Sequence, residues 1–168
     1  MPATKLAPRR PLPFQLSLRI RHPSMDPAII SKELGIEAEH CFRAGQSRHS
    51  RSGVAPAAIH TESYWLAPLN VAPWFGKSLL PEPLSLAISQ TDVDAAIARN
   101  LAGALGMCAL RFKSAHASLL HTIRSEGGEA SVLVTLSPED VDAFSLPPQV
   151  SRIFGELGIT LEFEITND

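Results

Sequence analysis

The chain has 168 residues, 45% of them apolar and 19% charged, which is the length of one domain with enough apolar side chain for a core. Fifteen Lys and Arg against seventeen Asp and Glu leave a net charge of −2, so no global basic field draws nucleic acid and no nucleic-acid partner is expected. The apolar runs fall far short of the ~20 residues that span a bilayer. Two cysteines, Cys41 and Cys108, with no CxxC, exclude a disulfide framework and a thiol zinc site.

Residues 1–13 are basic and proline-rich and lack the apolar stretch of a secretory signal, so they read as a loose arm. Residues 14–168 read as a single domain, soluble and cytoplasmic, with reduced thiols. Phe14, Leu16, Leu18 and Ile20 alternate with polar residues, the pattern of a strand with one buried face. Asp26 and Pro27 then open a helix over Ile29, Ile30 and Leu34, which Gly35 closes. A short strand is expected at His40–Arg43, a polar loop at Ala44–Gly53 and a strand at Thr61–Leu66. The proline-rich stretch from Pro68 to Pro83 is an irregular connection with apolar anchors, among them Val71, Trp74 and Phe75.

Thr91 caps a helix whose apolar positions run to Leu105, and Gly106 ends it. Met107–Phe112 reads as a buried strand, and Ser114 starts a further helix that closes at Gly127 and Gly128. Ala130–Leu136 alternates as a strand. Pro147 and Pro148 introduce a helix over Val150, Ile153, Phe154 and Leu157, and Leu161–Thr166 is the last strand. The order is β-α-β-β-α-β-α-β-α-β. Its first six elements have the βαββαβ order of a ferredoxin-like fold, extended by αβαβ. One-sided strands make the fold α+β, a mainly antiparallel sheet with helices on one face.

Little in the chain points to catalysis. His116 and His121 stand five residues apart, roughly 140° around a helix of ~3.6 residues per turn, and cannot share an ion. Cys108 lies in apolar surroundings as an inert thiol, and Cys41 and His40 are strand neighbours that point apart. There is no GxSxG and no phosphate loop. No catalytic residue, metal or cofactor is therefore assigned. The most functional-looking stretch is Arg43, Arg48, His49 and Arg51, followed by Tyr64 and Trp65. Its guanidinium forks in a glycine and serine frame suit carboxylate or phosphate groups. The plainer reading of the same residues is a solvated loop with Trp65 as a core anchor.

The block SLRIRHPSMDPAIISKELGIEAEHCFRAGQSR, the later Tyr64-Trp65-Leu66 and the ending LSPEDVDAFSLPPQVSRIFGELGITLEFEIT together resemble the DUF4279 domain family over residues 14–166. That family is bacterial and brings no catalytic residues. The resemblance implies an immunity role beside toxin systems. Three function classes follow: a non-catalytic domain that binds a protein partner, a small-ligand or anion-binding domain built on the arginine loop, and an enzyme of unrecognised type.

Overall fold

The structure, a computed structural model, describes residues 14–47, 58–71, 100–136 and 145–166. The basic arm, Arg48, His49 and Arg51, Trp74 and Phe75, and the helix start expected at Thr91 lie outside the described residues.

Strand β1 spans Phe14–His22 and shows the expected alternation, with Phe14, Leu16, Leu18, Ile20 and His22 buried. Helix α1, Pro27–Leu34, has the expected ends. Asp26 accepts a hydrogen bond from the Ala28 amide, and Gly35 takes the left-handed conformation (φ 66°) that a side chain would resist. The turn between them is held by His22, whose Nδ1 accepts from the Ser24 and Met25 amides at 3.1 and 2.7 Å. With Nδ1 accepting, the ring proton sits on Nε2, which faces the Glu126 carboxylate at 3.2 Å.

Strands β2 (His40–Phe42) and β3 (Ser63–Pro68) follow. The segment expected as the fourth strand and sixth element, Met107–Phe112, is helical instead. Helix α2 runs over Leu101–Arg111 with Asn100 as its N-cap, continues as a π turn over Phe112–His116, and resumes as α3, Ala117–Ser125. Leu101, Ala104, Leu105, Cys108, Ala109 and Phe112 are all buried, which is helical spacing. Gly106 is no stop. A Cβ there would stand 3.6 Å from Val150, an ordinary van der Waals contact, so this glycine lies mid-helix on the side toward a neighbouring helix. Ser114 does not cap, because its hydroxyl donates back to the Arg111 carbonyl inside the π turn. Strand β4 (Glu129–Leu136), helix α4 (Pro148–Leu157) and strand β5 (Ile159–Ile165) complete the order.

The fold is α+β, built on an open, mostly antiparallel five-stranded sheet in the order β2-β3-β1-β4-β5. β3 lies between β2 and β1 and is antiparallel to both, and β1 lies likewise between β3 and β4. Only β4 and β5 pair in parallel, joined through α4. The ferredoxin-like order expected above counted Met107–Phe112 as its closing strand, and that strand is absent. Register places Ile20 opposite Trp65 and Ala130, and Leu18 opposite Ala67 and Val132, so one face of the sheet is continuously apolar. Ile30 and Leu34 of α1, Leu105 and Phe112, Leu120 and Ile123 of α3, and Phe154 of α4 join these residues in one core. Each such side chain contributes about 1.5–3 kcal/mol by leaving water. Val71, at the head of the proline-rich connection, is buried as expected of an anchor, and Leu69, which was not named as one, is buried beside it.

Candidate functional site

The other face of the sheet carries the alternate residues, and cross-strand register lines them into rows. Phe42, Tyr64, Arg21 and Glu129 form one row across β2, β3, β1 and β4. His40, Leu66, Arg19, Ser131 and Thr160 form the next, which reaches β5. Most of these side chains are half-buried or exposed, whereas their neighbours on the helical face are buried. Arg19 reaches diagonally to an ion pair with Glu162. Arg21 is exposed and has no ion-pair partner among the described residues.

The aromatic end of the first row is a stack. The His60 ring lies on Phe42 with centroids 3.7 Å apart and planes 20° apart, and Phe42 lies 5.1 Å from Tyr64 at 11°. His60 is brought there because the β2–β3 hairpin continues past its strands. The His60 amide donates to the Gln46 carbonyl, the Gly45 amide donates to the His60 carbonyl, and Ser47 bridges to Ile59. Gln46 also folds its side-chain carbonyl back onto the Arg43 amide at 2.8 Å, while the Ala44 amide donates to Ser63 Oγ. The start of the expected polar loop is therefore a hydrogen-bonded turn.

Of the residues singled out from the sequence, the three that are described, Arg43, Tyr64 and Trp65, point in different directions. Trp65 takes the plainer of its two readings, a core anchor, and not the binding one. It points to the helical face, is fully buried, and donates from Nε1 to Ser31 Oγ of α1 at 2.9 Å, so it cannot touch a ligand. Tyr64, one position away, faces the open side, because successive strand residues point to opposite faces. Arg43 follows Phe42 and turns the other way, to an ion pair with Asp26 at 3.1 Å. It lines a groove of about 780 Å³ between α1 and the edge strand β2, together with Lys32, Asp26, Glu37 and the exposed thiol of Cys41. Phe42, His60, Arg19 and Arg21 were not among the candidates. The alternation of β1 already puts both arginines on its polar side, but the aromatic neighbours come only from cross-strand pairing.

Two titrating groups are shifted by burial. Cys108 is sealed inside α2 and its thiol is pushed up to about 12, which makes it inert as expected. His116, in the π turn, is held below the ordinary histidine value of 6.5, first by burial and then by Arg111, against the opposing pull of the Glu33 backbone and carboxylate. Among the described residues no three His, Cys, Asp or Glu side chains converge to hold a metal ion, and no helix is long and apolar enough to cross a membrane.

No protein-family model matches the chain, and neither a curated protein nor a solved structure does.

Proposed function

We propose that the chain is a non-catalytic binding domain that takes a protein partner on the open face of its sheet. The observation that supports this is the continuous row of His60, Phe42, Tyr64 and Arg21, stacked aromatics running into a guanidinium with no ion-pair partner among the described residues. Tyrosine, phenylalanine and arginine are the residues that concentrate in interface cores, where an aromatic body fills a pocket and the guanidinium satisfies carbonyls or carboxylates. The immunity-type role implied by the family resemblance belongs to the same proposal, because an immunity protein acts by covering its partner.

The test begins with capture of a partner from the native cell and continues with calorimetric titration of that partner into wild type and into the Tyr64→Ser, Arg21→Ser double variant. The double variant is expected to lose about 2 kcal/mol or more of binding, as central aromatic and arginine anchors do. Equal affinities overturn the assignment of this face.

A second reading, an anion-binding domain, draws on Arg43 and Lys32 in the groove beside α1. It stands second because Asp26 already neutralises Arg43. Its test is titration with inorganic phosphate and with citrate, comparing wild type with a variant in which Arg43, Arg48 and Arg51 are all Gln. Unchanged or absent binding removes it.

A further inference from the structure

Among the described residues the open face of the sheet holds a recess of about 30 Å³, room for one group the size of a water molecule or a carboxylate oxygen. Ser131 of β4 lies in it. Register sets Ser131 between Arg19 of β1 and Thr160 of β5, and Arg21 and Glu129 line the recess from the next row. The Arg19–Glu162 ion pair joins β1 to β5 across β4 beside this short side chain, so those two groups are already occupied with each other. Ser131 is only 6% exposed, yet its hydroxyl has no hydrogen-bond partner among the described residues. Buried polar groups are ordinarily hydrogen-bonded. Thr160 adds a second uncommitted hydroxyl and Arg21 an uncommitted guanidinium. Glu129 is exposed and stands opposite Arg21 in the register, but the two make no ion pair.

Size and charge select what fits. A phosphate brings about two negative charges and several oxygens. The recess admits one oxygen, and the carboxylates of Glu129 and Glu162 on its lining repel the added charge. An ammonium would be drawn to Glu129, but Glu129 lies at the end of its row away from the aromatic rings. A carboxylate fits. One oxygen accepts from the Ser131 and Thr160 hydroxyls, and the other takes the planar N–H fork of Arg21. Arg21 stands beside Tyr64 in its row, so a residue neighbouring that carboxylate comes to rest on the aromatic rings.

Resting on the open-face reading above, we propose that the recess is the socket for an acidic side chain of the protein partner, an aspartate or glutamate whose aromatic or apolar neighbour covers Tyr64.

The probes are a capped glycine-phenylalanine-aspartate-glycine peptide and its asparagine and lysine twins, each titrated into the ¹⁵N-labelled full chain. The aspartate peptide is expected to bind about fivefold or more tighter than either twin, and to shift the Arg21 Nε–H signal together with the Ser131 and Thr160 amides. Ser131→Ala removes one hydroxyl and leaves Tyr64 and Arg21 in place. It should weaken the aspartate peptide about threefold or more with the amide spectrum of the fold retained. Equal affinity for the aspartate and asparagine peptides overturns the proposal. Tighter binding of the lysine twin does so too, because Glu129 is then the recruiting group. No binding, shifts centred away from Arg21 and Ser131, or an unaffected Ser131→Ala, which leaves the recess to water, also overturn it. With the captured partner the two readings separate. If the Tyr64→Ser, Arg21→Ser variant weakens binding and Ser131→Ala does not, the partner uses the open face without the socket. If neither does, the open-face reading itself is lost.

Discussion

Within β1, Leu16, Leu18 and Ile20 lie against helices, while Ser17, Arg19 and Arg21 of the same nine-residue strand lie on the face that no described helix covers. Backbone and pairing are shared, so the difference between the two faces is entirely one of side chains and of what covers them. It separates the residues packed in the core from the polar ones on the other face. Under the proposed function, a change on the covered side is answered by stability, and a change on the open side by binding.

The strongest way to break the comparison is to put a charge on each side in turn. Leu18→Asp buries a carboxylate with no partner at a position of zero exposure, at a cost of several kcal/mol, comparable with a whole domain's stability of about 5–15 kcal/mol. Circular dichroism is expected to show an unfolded chain, whereas Ser17→Asp should melt almost as wild type. Gly128→Ala comes next. A Cβ there would stand 2.6 Å from His22 Cδ2 and 2.9 Å from the Arg21 carbonyl, which is backbone and cannot swing away. Urea unfolding should show a loss of about 1–3 kcal/mol. Trp65→Phe keeps an aromatic ring in the core but removes the donor to Ser31, at a cost of about 1–2 kcal/mol in the same measurement.

A smaller effect is expected from pH. Folded His116 holds a proton less readily than the unfolded chain, whose histidine has the ordinary value of 6.5, so below that pH the unfolded state takes up more protons. Stability should fall as pH drops from 6.5 through the depressed folded pKa. His116→Gln should flatten that part of the stability–pH curve relative to wild type. Smallest of all is Arg21→Ser on the open face, expected to change stability by no more than about 0.5 kcal/mol. A larger loss would mean that this face is structural.

Both faces of β1 were legible in its alternation, and α1 in its Asp-Pro start and Gly stop, because those signals are local. Met107–Phe112 was misread for a physical reason. A short apolar run fits a buried strand or a buried helix equally well, and Gly106 reads as a terminator unless the helix packed against it is known. The directions of the described site residues were hidden for a similar reason. Tyr64 and Trp65 are equivalent by composition, and only the register that sets Trp65 opposite Ile20 decides which of them reaches solvent. Arg43 was singled out for its guanidinium, but its attachment to Asp26 depends on where α1 comes to rest.

The place of β1 in the sheet also bears on how the chain is made. It is the first described strand to be synthesised, yet it ends at the centre of the sheet, with Ile20 waiting first for Trp65 and then for Ala130. Until β4 is synthesised, a growing chain holds an apolar strand with one side unclaimed, the kind of transient edge that invites mispairing and chaperone attention. With its central strand joined by contacts so distant in sequence, this topology should fold more slowly than a helical bundle of equal length.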